Sequence, residues 1–370
     1  MRLLIQPQDG VLPLVKAISG AKKSVEIVIF RFDQREIERA LANAVSRGVA
    51  VYALIASTNS AGEENLRKLE LRLLAAGVTV TRTADDLIRY HGKLMIIDRR
   101  ELHLLAFNLT HADIDRSRSF GAIVTNRNIV HEAVRLFEAD AKRIPYEPAF
   151  DKFLVSPVNA RKELARFIRG AKKELIVYDP EVSDRAMIAL LAERAKAGVN
   201  IRIIGRFLAQ VPGVTVQKLH IRLHTRSMVR DGQVAFIGSQ SLREPELDLR
   251  REVGLIFRDP RAVSSLLRTF EDDWAQVQQA DQEGAPIAVP TAKISKKVAK
   301  AVAKEMPPVT PIVNGALQEM AGEAQVELIQ REVEEVVKNA VREAVEEVVR
   351  DAVEQASSRA PVARHEAAHR

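Results

Sequence analysis

Two stretches of this chain repeat each other in order and spacing, and a repeat that long restricts the fold more than any single motif. Gly20-Ala21-Lys22-Lys23 precedes an apolar run, and Gly170-Ala171-Lys172-Lys173 precedes another 150 residues on. At the same offset, Arg47-Gly48-Val49 is matched by Ala197-Gly198-Val199. Further along the offset becomes 133, with His91-Gly92-Lys93 against His224-Thr225-Arg226 and Phe137-Glu138 against Phe270-Glu271. The halves thus match on both sides of one length change. We assign it to the helical stretch Glu63–Ala76 of the first half, whose counterpart is much shortened.

Within each half the periodicity alternates. Leu3–Ile5 reads as a short strand ending at Pro7, Val11–Ala21 as a helix and Ser24–Phe32 as a Val/Ile-rich strand. Ile37, Leu41 and Val45 share one face of a helix that runs to Ser46 and stops at Gly48, and Val49–Ala56 is the next strand. That order predicts an α/β domain whose sheet is covered on both faces.

The chemistry-bearing stretch is His91-Gly92-Lys93-Leu94-Met95-Ile96-Ile97-Asp98. Its apolar run reads as a buried strand, and residues two apart on a strand share a face, so His91 and Lys93 project together. An imidazole beside a fixed ammonium suits attack on an anionic phosphorus centre. The second copy, His224-Thr225-Arg226-Ser227-Met228-Val229-Arg230-Asp231, keeps the spacing with Arg226 in the lysine's place. Gly238-Ser239-Gln240-Ser241 and Arg251-Glu252-Val253-Gly254 follow it.

These elements resemble the phospholipase D superfamily, whose signature is H-x-K-x4-D with a G-S-x-N stretch and a later acidic residue. The layout resembles the cardiolipin-synthase-like branch. The resemblance implies duplicated phospholipase D-like α/β domains, 1–147 and 148–283, packed with pseudo-twofold symmetry so that each supplies one motif to a shared cleft. It implies that one histidine forms a phosphohistidine and the other protonates the departing oxygen, roles that an ordinary imidazole pKa permits near neutrality. Lys93 and Arg226 would neutralise the phosphoryl oxygens, Asn108 and Ser239 would hydrogen-bond the same group, and Asp98 and Asp231 would support it from behind. With two cations present, the resemblance implies neither metal nor cofactor.

Each copy departs from the pattern differently. In the first, Leu105 and Ala106 replace Gly and Ser, and Ser119 stands where the second has Glu252. In the second, Arg226 replaces Lys and Ser241 replaces Asn. Pairing of the acid with its own half favours His224 as nucleophile, whereas the family's usual single-chain assignment favours His91. Both assignments stand at this stage. His103, His111 and His131 match nothing in the motif and read as surface or core residues.

Composition narrows the partners. A net charge of +7 and a pI near 9.6 point to polyanions, either lipid headgroups or nucleic acid. There are no cysteines, which excludes disulfide and thiolate chemistry. No stretch approaches the roughly 20 consecutive apolar residues of a membrane span, and the opening residues are too briefly apolar for a signal peptide. The expectation is a cytoplasmic protein, peripheral at the inner face of an anionic membrane. Residues 284–315 read as a linker with Pro residues and a lysine stripe (Lys293, Lys297, Lys300, Lys304). The tail, 316–370, reads as an acidic amphipathic helix, and its residues 316–356 seek a partner helix or their own copy. Three functions follow: a phosphodiesterase or phosphatidyltransferase on phospholipid headgroups, a nuclease, or a phosphate-binding scaffold assembling through its tail. With aromatics at only 5%, no stacking platform for single strands is evident.

Overall fold

The computed structural model describes residues 1–57 and 63–282, so the expectations for the linker and the tail lie outside the described residues. The first half contains β1 (Arg2–Gln6), α1 (Leu12–Gly20), β2 (Ser24–Ile29), α2 (Arg35–Ser46), β3 (Ala50–Ile55), α3 (Glu63–Ala75) and β4 (Thr79–Arg82). It continues through β5 (Arg89–Tyr90), β6 (Leu94–Ile97), β7 (Glu101–Leu105), α4 (His111–Ile114), β8 (Ser117–Val124) and α5 (Arg127–Lys142). The second half contains β9 (Phe153–Val155), α6 (Ala160–Arg169), β10 (Glu174–Val182), α7 (Arg185–Lys196), β11 (Asn200–Phe207), β12 (Val214–Gln217) and β13 (Arg222–Leu223). It closes with β14 (Arg226–Arg230), β15 (Val234–Gly238), a π-helical turn (Pro245–Leu249), β16 (Arg250–Arg251), β17 (Val253–Phe257) and α8 (Pro260–Gln282).

The duplication is visible in the sheet order. The first sheet runs β1-β8-β7-β6-β2-β3-β4, and the second, read from its other edge, runs β9-β17-β15-β14-β10-β11-β12. Element for element these are one permutation. In each half β2 or β10 pairs in parallel with the next strand and antiparallel with the motif strand. Helix α3 bridges β3 and β4, whereas β11 and β12 are joined by a short turn, so the length change falls where the repeat offsets place it.

Both halves belong to one compact unit, Met1–Glu283. The outer face of the first sheet packs on α1, α2 and α3, and that of the second on α6 and α7. Between the inner faces lies one apolar core that takes in α5, α8 and residues of both sheets. An aromatic run from Phe120 through Tyr178 and Phe270 to Trp274 crosses this core, with ring centroids 5.1–5.5 Å apart. Covering the first sheet on both faces is why its motif strand, Leu94–Ile97, reads as an unbroken apolar run, whereas β14 holds only Met228 and Val229 between polar residues.

Two buried ion pairs join the halves reciprocally. Arg118 on β8 grips Asp273 on α8 with two hydrogen bonds of 2.7 and 2.8 Å. At equivalent positions Arg251 on β16 lies 3.1 Å from Asp140 on α5. The first is bidentate; in the second the Asp140 Oδ1 is close to the guanidinium but not aligned as a hydrogen bond. Short parallel pairings complete the exchange, β5 with β16 and β13 with the start of β8. Each delivers one motif: His91 N–H donates to Arg251 O, and His224 N–H to Arg118 O.

Candidate active site

The motif aspartates are the first correction. Asp98 accepts the backbone N–H groups of Lys22, Lys23 and Ser24, and Asp231 those of Lys172, Lys173 and Glu174. Each stands in the left-handed region, at φ 53° and 52°, in the tight turn after its motif strand. The repeated Gly-Ala-Lys-Lys segments are thus the amide cradles for these two carboxylates. Seven residues of extended chain, roughly 20 Å, separate Asp98 from His91, so neither aspartate supports a phosphate.

The histidine ends of the motif strands do converge. His91 Nδ1 lies 2.9 Å from both carboxylate oxygens of Glu252, which comes from the other half. Its Nε2 lies 2.8 Å from Lys93 Nζ, and the same ammonium donates to His91 O at 2.7 Å. Pairing therefore crosses between halves, which overturns the expectation that Glu252 orients His224. Phe30 meets the His91 ring edge-on, with centroids 4.6 Å apart, and fixes its plane. Gly92 is required between the two: a Cβ there would stand 2.8 Å from Val253 Cγ2.

Around His224 a different set assembles. Asp113, which sequence reasoning passed over, places Oδ2 3.1 Å from His224 Nε2. The same oxygen accepts the N–H and side-chain amide of Asn108, while Arg222 pairs with Asp113 Oδ1 and lies 3.1 Å from His224 Nδ1. Asn108 therefore holds the acid that holds His224. Ser119, at the position equivalent to Glu252, donates to the His224 carbonyl and does not reach the ring.

Arg226 is buried, and its Nε donates to Ser241 Oγ at 3.0 Å. Its Nη1 has no partner. A buried unpartnered guanidinium N–H is costly unless a ligand completes it. Ser241, which departs from the family's Asn, thus holds Arg226 in place. The Ser239 hydroxyl bonds the Val253 N–H and O and also hydrogen-bonds Glu252. Asp179 accepts the Leu242 N–H behind Ser241, and burial raises its carboxyl to about 6.

The electrostatics bind these groups into one cluster. Burial holds His91 well below the ordinary imidazole value, and Lys93 and Arg226 push it further down. Burial likewise depresses His224, which Asp113 opposes and Arg226, Arg222 and Lys93 reinforce. Each imidazole therefore feels both motif cations. Burial brings Lys93 down to about 7, with Glu252 opposing and Arg226 adding. Burial raises Glu252, against the pull of Lys93. Asp113 is pushed up by burial, but His224 and Arg222 more than offset this and leave it at about 2. The resulting site has a neutral imidazole oriented by Glu252 and a second imidazole paired with Asp113, and the charges of Lys93 and Arg226 act on both.

Asp113 carried a faint sequence signal, since it lies five residues after Asn108 as Glu246 lies five after Ser241. Glu246, however, is bound to Arg250 and Arg243.

Comparison with known proteins agrees with the fold. Residues 14–141 match the family model described as "Cardiolipin synthase, PLD-like domain". The chain is 25% identical over 234 residues to polyphosphate kinase of Staphylococcus haemolyticus, an alignment covering 56% of this chain and 32% of that one. It is 20% identical over 329 residues to cardiolipin synthase A of Proteus mirabilis, covering 72% of this chain and 67% of that one. The crystal structure of polyphosphate kinase from Porphyromonas gingivalis superposes with a TM-score of 0.61 at 21% identity, over 73% of this chain and 49% of that one. The chain thus spans between a third and two thirds of the length of these curated relatives. Two equivalent halves, one histidine motif from each, and the match of residues 14–141 make the chain similar to the phospholipase D superfamily.

Proposed function

We propose that this protein breaks a phosphodiester bond through a phosphohistidine on His91. The observation that carries the proposal is the convergence of His91, Lys93 and Glu252 with Arg226 and His224 in one buried cluster. With Glu252 accepting the Nδ1 proton, the His91 lone pair is on Nε2, where Lys93 now rests. A phosphodiester entering the cluster takes over the Lys93 ammonium and the free Nη1 of Arg226, which exposes that lone pair. Its attack forms the N–P bond while the bond from phosphorus to the leaving oxygen breaks. The incoming anion also offsets the cations that depress His224, so the His224–Asp113 pair takes up a proton and delivers it to the leaving oxygen. In that state the Arg222 Nη2 contact with His224 Nδ1 yields, while Nη1 stays held by Asp113 and Ser117. Water or an alcohol, deprotonated by His224, then attacks the phosphohistidine and releases His91.

The substrate reading is a phospholipid headgroup. Ile88 and Leu249, both exposed and joined by a backbone hydrogen bond, stand just before the strand pair that delivers His91 and Glu252. Ile221 is exposed at the equivalent position before His224. An apolar rim at the mouth of a cationic site suits a headgroup presented by a bilayer. The match to a cardiolipin-synthase-type domain supports this reading. A second reading, condensed phosphate as substrate, is favoured by the alignment to a polyphosphate kinase.

The deciding experiment incubates the protein in parallel with labelled phospholipid vesicles, inorganic polyphosphate and DNA. The lipid reading expects headgroup release or exchange from vesicles alone. Turnover of polyphosphate or DNA without lipid turnover overturns it.

A further inference from the structure

The two halves differ most beside the site. In the first half a cavity of about 840 Å³ lies between α2, α3 and the chain leaving β2. Five cations line it (Arg31, Arg35, Arg39, Lys68 and Arg72) against two carboxylates, Asp33 and Glu38. Both carboxylates are engaged: Glu38 is held by Arg72, and Asp33 accepts the His111 N–H. Among the described residues, Arg31, Arg35 and Arg39 have no carboxylate partner.

The second half lacks most of this feature, keeping only Arg185 at the position of Arg35. Arg31 and Arg39 correspond to Glu181 and Ala189, and α3 has no counterpart. Helix α7 is capped by Asp184, whose side chain accepts the Met187 N–H, whereas Gln34 supplies no side-chain cap to α2. Helix α2 therefore presents its N-terminal end at the cavity without a side-chain cap, although Glu36 and Glu38 lie in its first turn. Arg31 links the cavity to the chemistry: its charge lowers the Lys93 pKa, and its own Nε is buried without a partner. Thr110 of the cavity wall caps α4, the turn that carries Asp113. The cavity thus adjoins the leaving-group side of the site.

We infer that this cavity holds a second phosphate, carried by the group that leaves or accepts at the scissile phosphorus. The inference rests on the phosphoryl-transfer reading above, but binding tests it without turnover. Guanidinium groups and helix amides recognise phosphate oxygens in the same way whether the phosphate belongs to a headgroup, a nucleotide or a condensed chain.

The test measures binding of inorganic tripolyphosphate and of orthophosphate to the full chain by calorimetry, for wild type and for R35Q/R39Q. Wild type is expected to bind tripolyphosphate about 10-fold tighter than orthophosphate. The double variant should lose about 3- to 10-fold of that advantage, with orthophosphate affinity unchanged. Arg127→Gln, outside the cavity, serves as a control expected to change neither. If the double variant fails to fold, R39Q alone should still narrow the ratio. An unchanged ratio in a folded variant overturns the inference. Among substrates that are turned over, those whose leaving group bears a phosphate should show a KM lowered by the same factor in wild type only. If wild type and variant discriminate equally, the second phosphate is bound elsewhere. Loss of catalysis with the binding ratio intact would instead fault the phosphohistidine reading.

Discussion

The two halves share one strand order, with their offset changing only at α3, yet they have divided the labour. The first contributes an imidazole whose acid comes from the other half, together with an arginine-lined cavity. The second contributes an imidazole whose acid also comes from across the dyad, but from α4 and at the opposite ring nitrogen. Duplication preserved the scaffold: the amide cradles for Asp98 and Asp231, the reciprocal arginine–aspartate pairs, and the crossed strand pairings. It did not preserve the acid beside each histidine. Ser119 replaced a carboxylate that Asp113 now supplies to the same ring by another route. Each copy's motif looks degenerate alone, and the missing pieces are made good by residues outside it.

Removing either ring tests this division most severely. His91→Ala should abolish turnover, on the order of 10⁴-fold or more, because the nucleophile is gone. His224→Ala should cost less with a substrate whose leaving oxygen needs no proton, since a general acid contributes about 10²- to 10⁴-fold. Equal losses for good and poor leaving groups would break the assignment of roles. Glu252→Gln should cost about 10²- to 10⁴-fold, because the amide no longer holds His91 in its Nε2-nucleophilic tautomer. Ser119→Ala, at the equivalent position, should cost little. A comparable loss in both would restore symmetry to the halves and sink the account.

The two inter-half clamps sharpen the same contrast in stability. Asp273→Asn breaks a buried bidentate pair and should destabilise by about 3–5 kcal/mol in urea unfolding. Asp140→Asn should cost clearly less, because burial already raises that carboxyl to about 6 and its ion pair is poorly aligned. A raised carboxyl contributes stability at low pH that is lost as pH climbs through about 6. The asparagine variant should therefore lose the wild type's decline between about pH 4 and 6. Identical costs for the two aspartates would contradict the asymmetry.

A smaller effect concerns pH. On the proposed mechanism Lys93 holds phosphate oxygens only when protonated, and burial brings it to about 7 in the free protein. The kcat/KM should accordingly fall as pH rises through about 7, while His91, already neutral, adds no limb near its ordinary value. Lys93→Arg keeps the charge at all these pH values and should remove the alkaline limb at some cost in rate. Persistence of that limb would place it on another group.

Much of the fold was legible, and the reason is local. Periodicity, the Gly48 and Gly198 helix stops and the paired offsets fix the order of elements, and the missing α3 counterpart shows as a change of offset. The histidine–lysine geometry was also legible, since it depends on residues two apart. What stayed hidden were pairings across long separations. Nothing near Glu252 says that it belongs to His91, 161 residues away, instead of His224. Asp98 shares a motif with His91, but a strand carries it to the opposite end, where the Lys22–Ser24 amides wait. Ser239 and Ser241 differ by two positions on one short segment, and only the fold tells which one meets Arg226.

The most direct test is to quench the protein during turnover of labelled substrate and map acid-labile phosphate. The account predicts phosphohistidine at His91, accumulating in His224→Ala with an activated leaving group and absent from His91→Ala. Phosphate on His224, or turnover with neither ring ever labelled, would contradict it.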